Sequence, residues 1–324
     1  MTRVIRYTPD KKDMLRAYMH KTFPRYSDEY IDYCIQYAYS PEADCNGFIV
    51  LAADDTIVGC HLFFPIKAFI KGTEVNTCWG HDTYLDEQYR KECSIDFILK
   101  INRIPAFGIG VTDVNKKIQE SIRTTFIPGL FTYCYLNAYV CFCNFFSSKR
   151  IESVRAPKVL KNHSEDFVLV HSSSEIKTPN DGFWYKEFND VDFVRDKEYL
   201  DNRFFNNRAF KYYVYTIRGH SIYFVVRPIL FRGMPMLSIV DYRYINGEKI
   251  GIHDIVKASQ KIAIMNHLAG VVLVSNEKRL SEKRQSLFTL KRELSLVANR
   301  YLKLSSDITI NVTSADADVD FMRH

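Results

Sequence analysis

The sequence holds no Cys-x-x-Cys pair, no run of five basic residues and only two tryptophans. Its eight cysteines are scattered, and without paired spacing a structural zinc site is not expected. Forty-four Lys and Arg against 38 Asp and Glu give a net charge of +6, enough to attract a polyanion such as a nucleotide. With no basic run, nucleic acid is not the expected partner. Thirteen glycines and ten prolines among 324 residues exclude a collagen-like or low-complexity chain. The longest apolar run, Leu130–Phe146, is broken by Asn137, Asn144 and several tyrosines, which suits strands better than a membrane span. No transmembrane helix is expected. Met1–Pro9 has no signal-like character, so the cysteines read as reduced, buried small hydrophobes of a cytoplasmic protein. Cys141-Phe-Cys143 places two thiols on one strand face without companion ligands and reads as packing, so no metal is expected.

What the chain does contain is length and pattern. At about 150 residues per domain, two domains are the first expectation. Arg3–Tyr7 reads as a strand. Thr8-Pro9 opens a helix with Leu15, Met19 and Phe23 at helical spacing, and Ser27 caps a second with Ile31, Cys34, Ile35 and Ala38 on one face. Phe48–Ala53 and Thr56–Phe64 flank the Asp54-Asp55 turn as a hairpin, and a long strand runs over Thr73–Leu85. A helix around Ser94–Asn102, a strand Ile104–Gly110, a helix Asp113–Phe126 and strands within Leu130–Phe146 follow.

The polar, broken stretch 151–181 reads as the junction between a domain over 1–150 and another over 182–324. Beyond it come a helix near Asp190–Phe204 and strands Phe210–Ile217, Ser221–Leu230 and Met236–Ile245. A helix Ile252–Leu268, a strand Val271–Ser275 and further helices through Leu302 complete the pattern. Hairpin, strand, helix, strand, helix thus occurs twice, which argues for structural duplication in a mixed α/β protein.

The most informative stretch is Thr77-Cys-Trp-Gly-His-Asp-Thr-Tyr-Leu-Asp-Glu-Gln-Tyr-Arg-Lys-Glu-Cys-Ser-Ile. A strand ends near Leu85 and a helix opens at about Cys93 or Ser94, aiming backbone N–H groups and a positive dipole end at one spot that suits pyrophosphate. Arg90 and Lys91 add charge there. This stretch resembles the GNAT N-acyltransferase superfamily, whose central strand runs into an Arg-x-x-Gly-x-Gly/Ala turn that cradles acyl-coenzyme A. Tyr89-Arg90 fits the start of that turn, and Cys93 and Ile95 stand at its two small-residue positions. The two leading helices, the hairpin Ala52–Gly59 and the strand-plus-helix Phe107–Asn115 resemble further elements of that family in its order, over roughly residues 3–146. Gly108-Ile-Gly110 lacks the third glycine of a dinucleotide fingerprint, since position 113 is Asp, and reads as a strand end.

The resemblance implies two tandem GNAT-like domains. Each would hold a mixed, mostly antiparallel sheet with a V-shaped central splay and flanking helices, the second more diverged. The whole is similar to double-GNAT proteins of bacterial surface-polysaccharide biosynthesis, and more distantly to Fem-type aminoacyltransferases and N-myristoyltransferases. It implies acyl transfer, with acetyl-coenzyme A or another acyl-coenzyme A as co-substrate, to a small amine such as an amino sugar or nucleotide-linked amino sugar. Direct attack in a ternary complex is expected, because no cysteine comes with an evident His partner in sequence. Tyr84, Leu85, Arg90, Lys91, Glu92, Cys93, Ser94 and Ile95 would line the cofactor in the first domain, with Asn115 at the frequent asparagine of the next helix.

In the family's pattern a base sits on the central strand, where His81 and Asp82 are the titratable neighbours before Leu85. A regular strand points them to opposite faces, so one would face the cleft. Asp82 is favoured slightly over His81; a strand-end hydrogen-bonding role or a core histidine are the plain alternatives. Tyr133, on the strand after the second helix, could supply the acid, or simply pack. For the acceptor, expected between the two halves with the second domain as its candidate site, Trp79 of the first domain offers an aromatic platform and Asp241, Asp316 and Asp318 of the second offer carboxylates. Two acids near a terminus also read as a solvated end. A Fem-like transferase using aminoacyl-tRNA and an inactive GNAT-like binding protein are the rival readings. The first would need a broad basic track.

Overall fold

The structure, a computed structural model, describes residues 1–39, 45–110, 113–137, 153–161, 165–245, 250–282 and 288–316, the side chains of 113–115 and 281–282 excepted. The order of elements is β1 (Arg3–Arg6), α1 (Lys12–Thr22), α2 (Asp28–Tyr37), β2 (Phe48–Leu51), β3 (Ile57–Ile70), β4 (Thr73–Leu85) and α3 (Arg90–Ile101). Next come β5 (Ala106–Ile109), α4 (Asp113–Ser121), β6 (Thr125–Ile127), β7 (Phe131–Leu136), β8 (Val159–Lys161), β9 (Asp166–Val170) and β10 (Val191–Phe193). The remainder is β11 (Tyr213–Thr216), β12 (Ile222–Phe231), β13 (Met234–Tyr244), α5 (Ile252–Met265), β14 (Gly270–Ser275), α6 (Lys278–Glu282), β15 (Thr289–Glu293) and β16 (Leu296–Ala298).

Two compact units result. One comprises Met1–Ala68, Thr73–Pro128 and Ser295–Ile308; the other comprises Phe69–Gly72, Gly129–Leu294 and Thr309–His324. The first unit's sheet runs β1-β2-β3-β4-β5-β16-β6, and the second's runs β15-β7-β14-β13-β12-β11-β9-β8. Both are mixed sheets with flanking helices, as the fold expectation has it. The units do not meet at a single cut within 151–181: β7 pairs with β14 and β15, while β16 returns to lie between β5 and β6. Polarity along a chain marks breaks between elements, whereas strand partners are chosen by packing across the chain.

Each sheet contains a fork. In the first unit β4 and β5 are parallel and pair at Cys78↔Ala106 and Trp79↔Phe107. Beyond that ladder β4 continues to Leu85, and β5 turns to β16 through Gly108↔Val297 and Ile109↔Leu296. In the second unit β13 and β14 are parallel from Leu237↔Val271 to Ile239↔Leu273, and β13 continues to Tyr244. These forks are the central splay of the expected fold.

Burial follows the sequence pattern. Ile222-Tyr-Phe-Val-Val226 has no polar alternation because β12 is covered on both faces. Ile222, Phe224 and Val226 join one core with Ile252, Ile255 and Ile262 of α5, while Tyr223 and Val225 join another with Trp184 and Leu200. In the first unit Val50, Phe63, Cys78, Leu85, Cys93 and Phe97 form the core under α3. Ser27 caps α2 through Tyr30 N–H, as its position predicts. One glycine is forced: at Gly270 a Cβ would stand 2.1 Å from the carbonyl oxygen of Tyr135 on β7.

Several elements differ from the sequence reading. The helix expected over Asp113–Phe126 stops at Ser121, and Arg123, with φ at 61°, turns the chain into β6. The helix expected near Asp190–Phe204 is helical only in its second half, one α-helical turn Lys197–Leu200 running into a π-helical turn Asp201–Phe205, and its first residues form β10. The stretch read as helical through Leu302 contains β15 and β16. In each case a partner strand or a left-handed residue overrides local helical spacing.

Candidate active site

His81 and Asp82 lie on β4 just past the fork, both buried. They do not point to opposite faces. Asp82 has φ at 48°, in the left-handed region, which breaks the alternation of the strand and swings its carboxylate beside its neighbour. His81 Nδ1 meets Asp82 Oδ2 at 3.0 Å, and the imidazole stacks on Phe64 with ring centroids 3.9 Å apart at 11°. An Nδ1–H donated to the carboxylate assigns the Nε2 lone pair as the open acceptor, and Nε2 is buried without a hydrogen-bond partner. Backbone strain of this kind, held by surrounding packing, is concentrated at functional positions.

The sequence did not point to the rest of this cluster. Tyr26 donates its hydroxyl to Asp82 Oδ1 at 2.8 Å, and the Cys34 thiol lies 3.9 Å from Oδ2. Cys34 was legible as one face of α2, but only the packing of α2 against β4 shows which residue it meets. Ligand atoms of Cys34, His81 and Asp82 fall within 4.8 Å of one another, so these three side chains could also hold a divalent ion. Gly80 is small for a reason: a Cβ there would stand 3.0 Å from the ring of His61. His61 Nδ1 is 2.6 Å from Thr83 Oγ1.

Burial, followed by the charge of His81 and opposed by Asp82, lowers the pKa of His61 to about 3. An imidazole in the unfolded chain protonates near pH ~6.5. Between these values the unfolded chain binds a proton that folded His61 refuses. Stability is therefore expected to fall with falling pH, by up to about 1.4 kcal/mol per unit from this group. His61→Gln removes the term, so urea unfolding at several pH values between 6.5 and 3 should show a flatter slope than the parent. Equal slopes would mean that His61 titrates normally.

The turn after β4 starts its helix earlier than expected. A single turn of 3₁₀ helix over Glu87–Tyr89 leads into α3 at Arg90, so Cys93 and Ile95 lie within the helix. Cys93 is buried and bonds its thiol to Tyr89 O at 3.3 Å, while Ile95 is exposed. Arg90 Nε donates to Leu85 O at 3.1 Å, tying the strand end to the helix start. Arg90 and Lys91 are exposed in the first turn, and Tyr84 and Ser94 are at least partly exposed. Leu85 is a core residue, and Glu92 accepts the Thr2 N–H at 2.7 Å. The first turn of this twelve-residue helix thus carries two exposed cations, Arg90 and Lys91, beside the exposed Glu92, and the Arg90 N–H is taken by Glu87 O.

Other expected residues are placed elsewhere. Trp79 is fully buried and packs on Phe107 at 5.2 Å, so it is no exposed platform. Tyr133, in the second unit, is buried with its hydroxyl unpartnered, and burial with the nearby Glu277 pushes its pKa up to about 12. Asp241 is completely buried. It accepts from Arg195 Nε at 2.8 Å, Arg243 Nη1 at 3.0 Å, Tyr223 at 2.7 Å and Thr313 at 2.6 Å. Asp316 is buried rather than solvated, paired with Arg195 and Thr313. Both carboxylates are spent on core arginines, which corrects their reading as acceptor contacts. The side chain of Asn115, and Asp318, Cys141 and Cys143, lie outside the described residues.

With the forked sheets and the dyad in view, solved structures supply a likeness. The chain superposes on a GCN5-related N-acetyltransferase from Anabaena variabilis with a TM-score of 0.57 and 11% identity, over 91% of this chain and 72% of that one. It matches Saccharomyces cerevisiae N-myristoyltransferase with bound myristoyl-CoA and inhibitors at 0.57 and 10%, over 92% of this chain and 80% of that one. A probable N-acyltransferase of unknown function from Enterococcus faecalis V583 gives 0.54 and 10%, over 91% and 72%. The fold is the one these N-acyltransferase structures share. No protein-family model matches the sequence, and no curated protein matches it significantly. At such identities the N-acyltransferase fold is what is shared, and chemistry has to be argued from this chain's own residues.

Proposed function

We propose that this chain is an N-acyltransferase that passes an acyl group from an acyl-coenzyme A to an amine by direct attack. The observation that carries the reading is the buried His81–Asp82 pair at the fork of β4 and β5, with His81 Nε2 unspent. The neutral amine nitrogen attacks the thioester carbonyl and its proton goes to His81 Nε2; the carbon–sulfur bond breaks, coenzyme A leaves as its thiolate, and the proton returned from His81 through solvent gives the free thiol. Asp82 fixes the ring's tautomer and faces the positive charge the ring acquires. The exposed side chains of Arg90 and Lys91 at the start of α3 would hold the pyrophosphate. N-myristoyltransferase with its bound myristoyl-CoA supports an acyl-coenzyme A donor on this fold.

Acetyl is the first acyl group to test. The acceptor proposed is a small amine, of which amino sugars, free or nucleotide-linked as in surface-polysaccharide synthesis, are the first class to screen. With Trp79, Asp241 and Asp316 buried, the specificity must come from other side chains.

Calorimetric titration with acetyl-coenzyme A tests the reading. Saturable binding is expected, weakened about tenfold or more in Arg90→Ala. Release of the free coenzyme A thiol should follow when an amine acceptor is added. Binding indifferent to Arg90→Ala would move the cofactor away from this turn. No heat and no thermal shift at millimolar ligand would sink the proposal and favour an inactive binding protein, a reading to which the glycine-free turn at Glu87–Ile95 already lends support.

A further inference from the structure

The second unit carries a cleft that the proposed acyl transfer does not use. Its volume is about 380 Å³, and it opens where β9 ends at Val170 and where the π-helical turn Asp201–Phe205 passes into the loop leading to β11. Phe205, Phe210 and Tyr212 supply rings, and His171, Arg208 and Lys211 supply basic groups. Among the described residues no carboxylate lines it.

The walls are fixed in advance of any ligand. Asn207 pins the loop, accepting the N–H groups of Ala209 and Phe210 at 2.9 and 3.0 Å and donating to Arg203 O at 3.2 Å. The buried Arg203 donates to the Tyr212 hydroxyl at 2.9 Å, and the buried Arg227 lies 4.1 Å from the centre of the Phe210 ring. A π-helical turn is an irregularity frequent at functional sites, and here it carries Phe204 and Phe205 into the cleft wall. Preorganised walls of this kind lower the ordering cost of binding.

The lining selects a ligand class. Rings favour a flat, apolar body. Three basic groups with no acid opposite favour a group bearing more than one negative charge, and a phosphate monoester carries close to two. Arg208 offers a planar fork, Lys211 a point charge and His171 an imidazole, a set that suits several phosphate oxygens better than one carboxylate. The volume sits at the low end for small-ligand sites, which matches a mononucleotide and is too small for coenzyme A. We propose that this cleft binds a mononucleotide, its base against the rings and its phosphate among Arg208, Lys211 and His171.

The test is calorimetry on the full chain with the four common nucleoside monophosphates, and with inorganic phosphate and the free nucleosides as part-ligands. At least one monophosphate should bind saturably below about 1 mM, about tenfold or more tighter than either part alone. Arg208 and Lys211 are exposed, so the double variant R208E/K211E should fold as judged by circular dichroism and should lose tenfold or more in affinity. Arg90→Ala should leave this binding unchanged, which separates it from the acyl-coenzyme A reading. On the parent protein the bound nucleotide should slow backbone hydrogen exchange over residues 204–212. The proposal is overturned by no saturable heat at about 5 mM of any monophosphate, by inorganic phosphate binding as tightly, by an indifferent double variant, or by loss of binding in Arg90→Ala.

Discussion

Replacing His81 by glutamine is expected to reduce the turnover of acyl transfer by about 10²- to 10⁴-fold, the usual contribution of a positioned general base, with little change in acyl-coenzyme A affinity. The ring's stacking on Phe64 and its bond to Asp82 set its orientation, so the loss is of a proton acceptor rather than of a binding contact. Asp82→Asn is the companion variant. Asparagine accepts the left-handed conformation as readily as aspartate, so the backbone at φ 48° is kept while the negative charge is removed. A loss of similar order is expected there, because an amide can hold the ring in the wrong tautomer. Turnover within twofold of the parent in His81→Gln would remove His81 from the chemistry.

The largest expected effect on stability is at Asp241. Arg195 and Arg243 are both fully buried and share this carboxylate, with Asp316 the second partner of Arg195. Against the upward push of burial, the two arginines hold the pKa of Asp241 down to about 2. Asp241→Ala would leave Arg243 without a hydrogen-bonded carboxylate and Arg195 with Asp316 alone, the buried Asp192 acting on both only through space, and removal of one partner from a buried ion pair costs about 3–5 kcal/mol. A domain of ordinary stability has only about 5–15 kcal/mol in total. The urea midpoint should therefore drop steeply, and added salt should not restore it, since ions screen buried charges poorly. A midpoint close to the parent's would mean that solvent or an anion relieves the arginines. Nε and Nη2 of Arg243, already without partners, are where such relief would act.

Much of the frame was legible because it depends on neighbours in sequence. The strand Thr73–Leu85, the Ser27 cap and the apolar face Ile31, Cys34, Ile35 follow from local spacing and end chemistry. The His81–Asp82 pair was legible as two adjacent titratable residues on β4. Its geometry was not, because nothing in the letters His-Asp announces a left-handed residue in a strand. Asp241 and Asp316 read as acceptor-binding carboxylates because their partner Arg195 is remote in the chain from both. The charge balance that allows their burial exists only after folding. The helix expected near Asp190–Phe204 starts late for a related reason: Val191 of β10 pairs beside Ile310 and helix begins only at Lys197, and that pairing lies beyond any local window.

The return of Leu296–Ala298 between β5 and β6 sets an order of events in time. As the chain is made from its N-terminus, β5 and β6 emerge with the slot between them empty, and it is filled only after nearly all of the second unit has been made. Contacts so remote in sequence slow folding, because a long loop must close before they form. Until then two unpaired strand edges are open to any other chain. A nascent or truncated chain ending before Leu296 is thus the aggregation-prone species, and its yield should depend on concentration and on chaperones that shield strand edges.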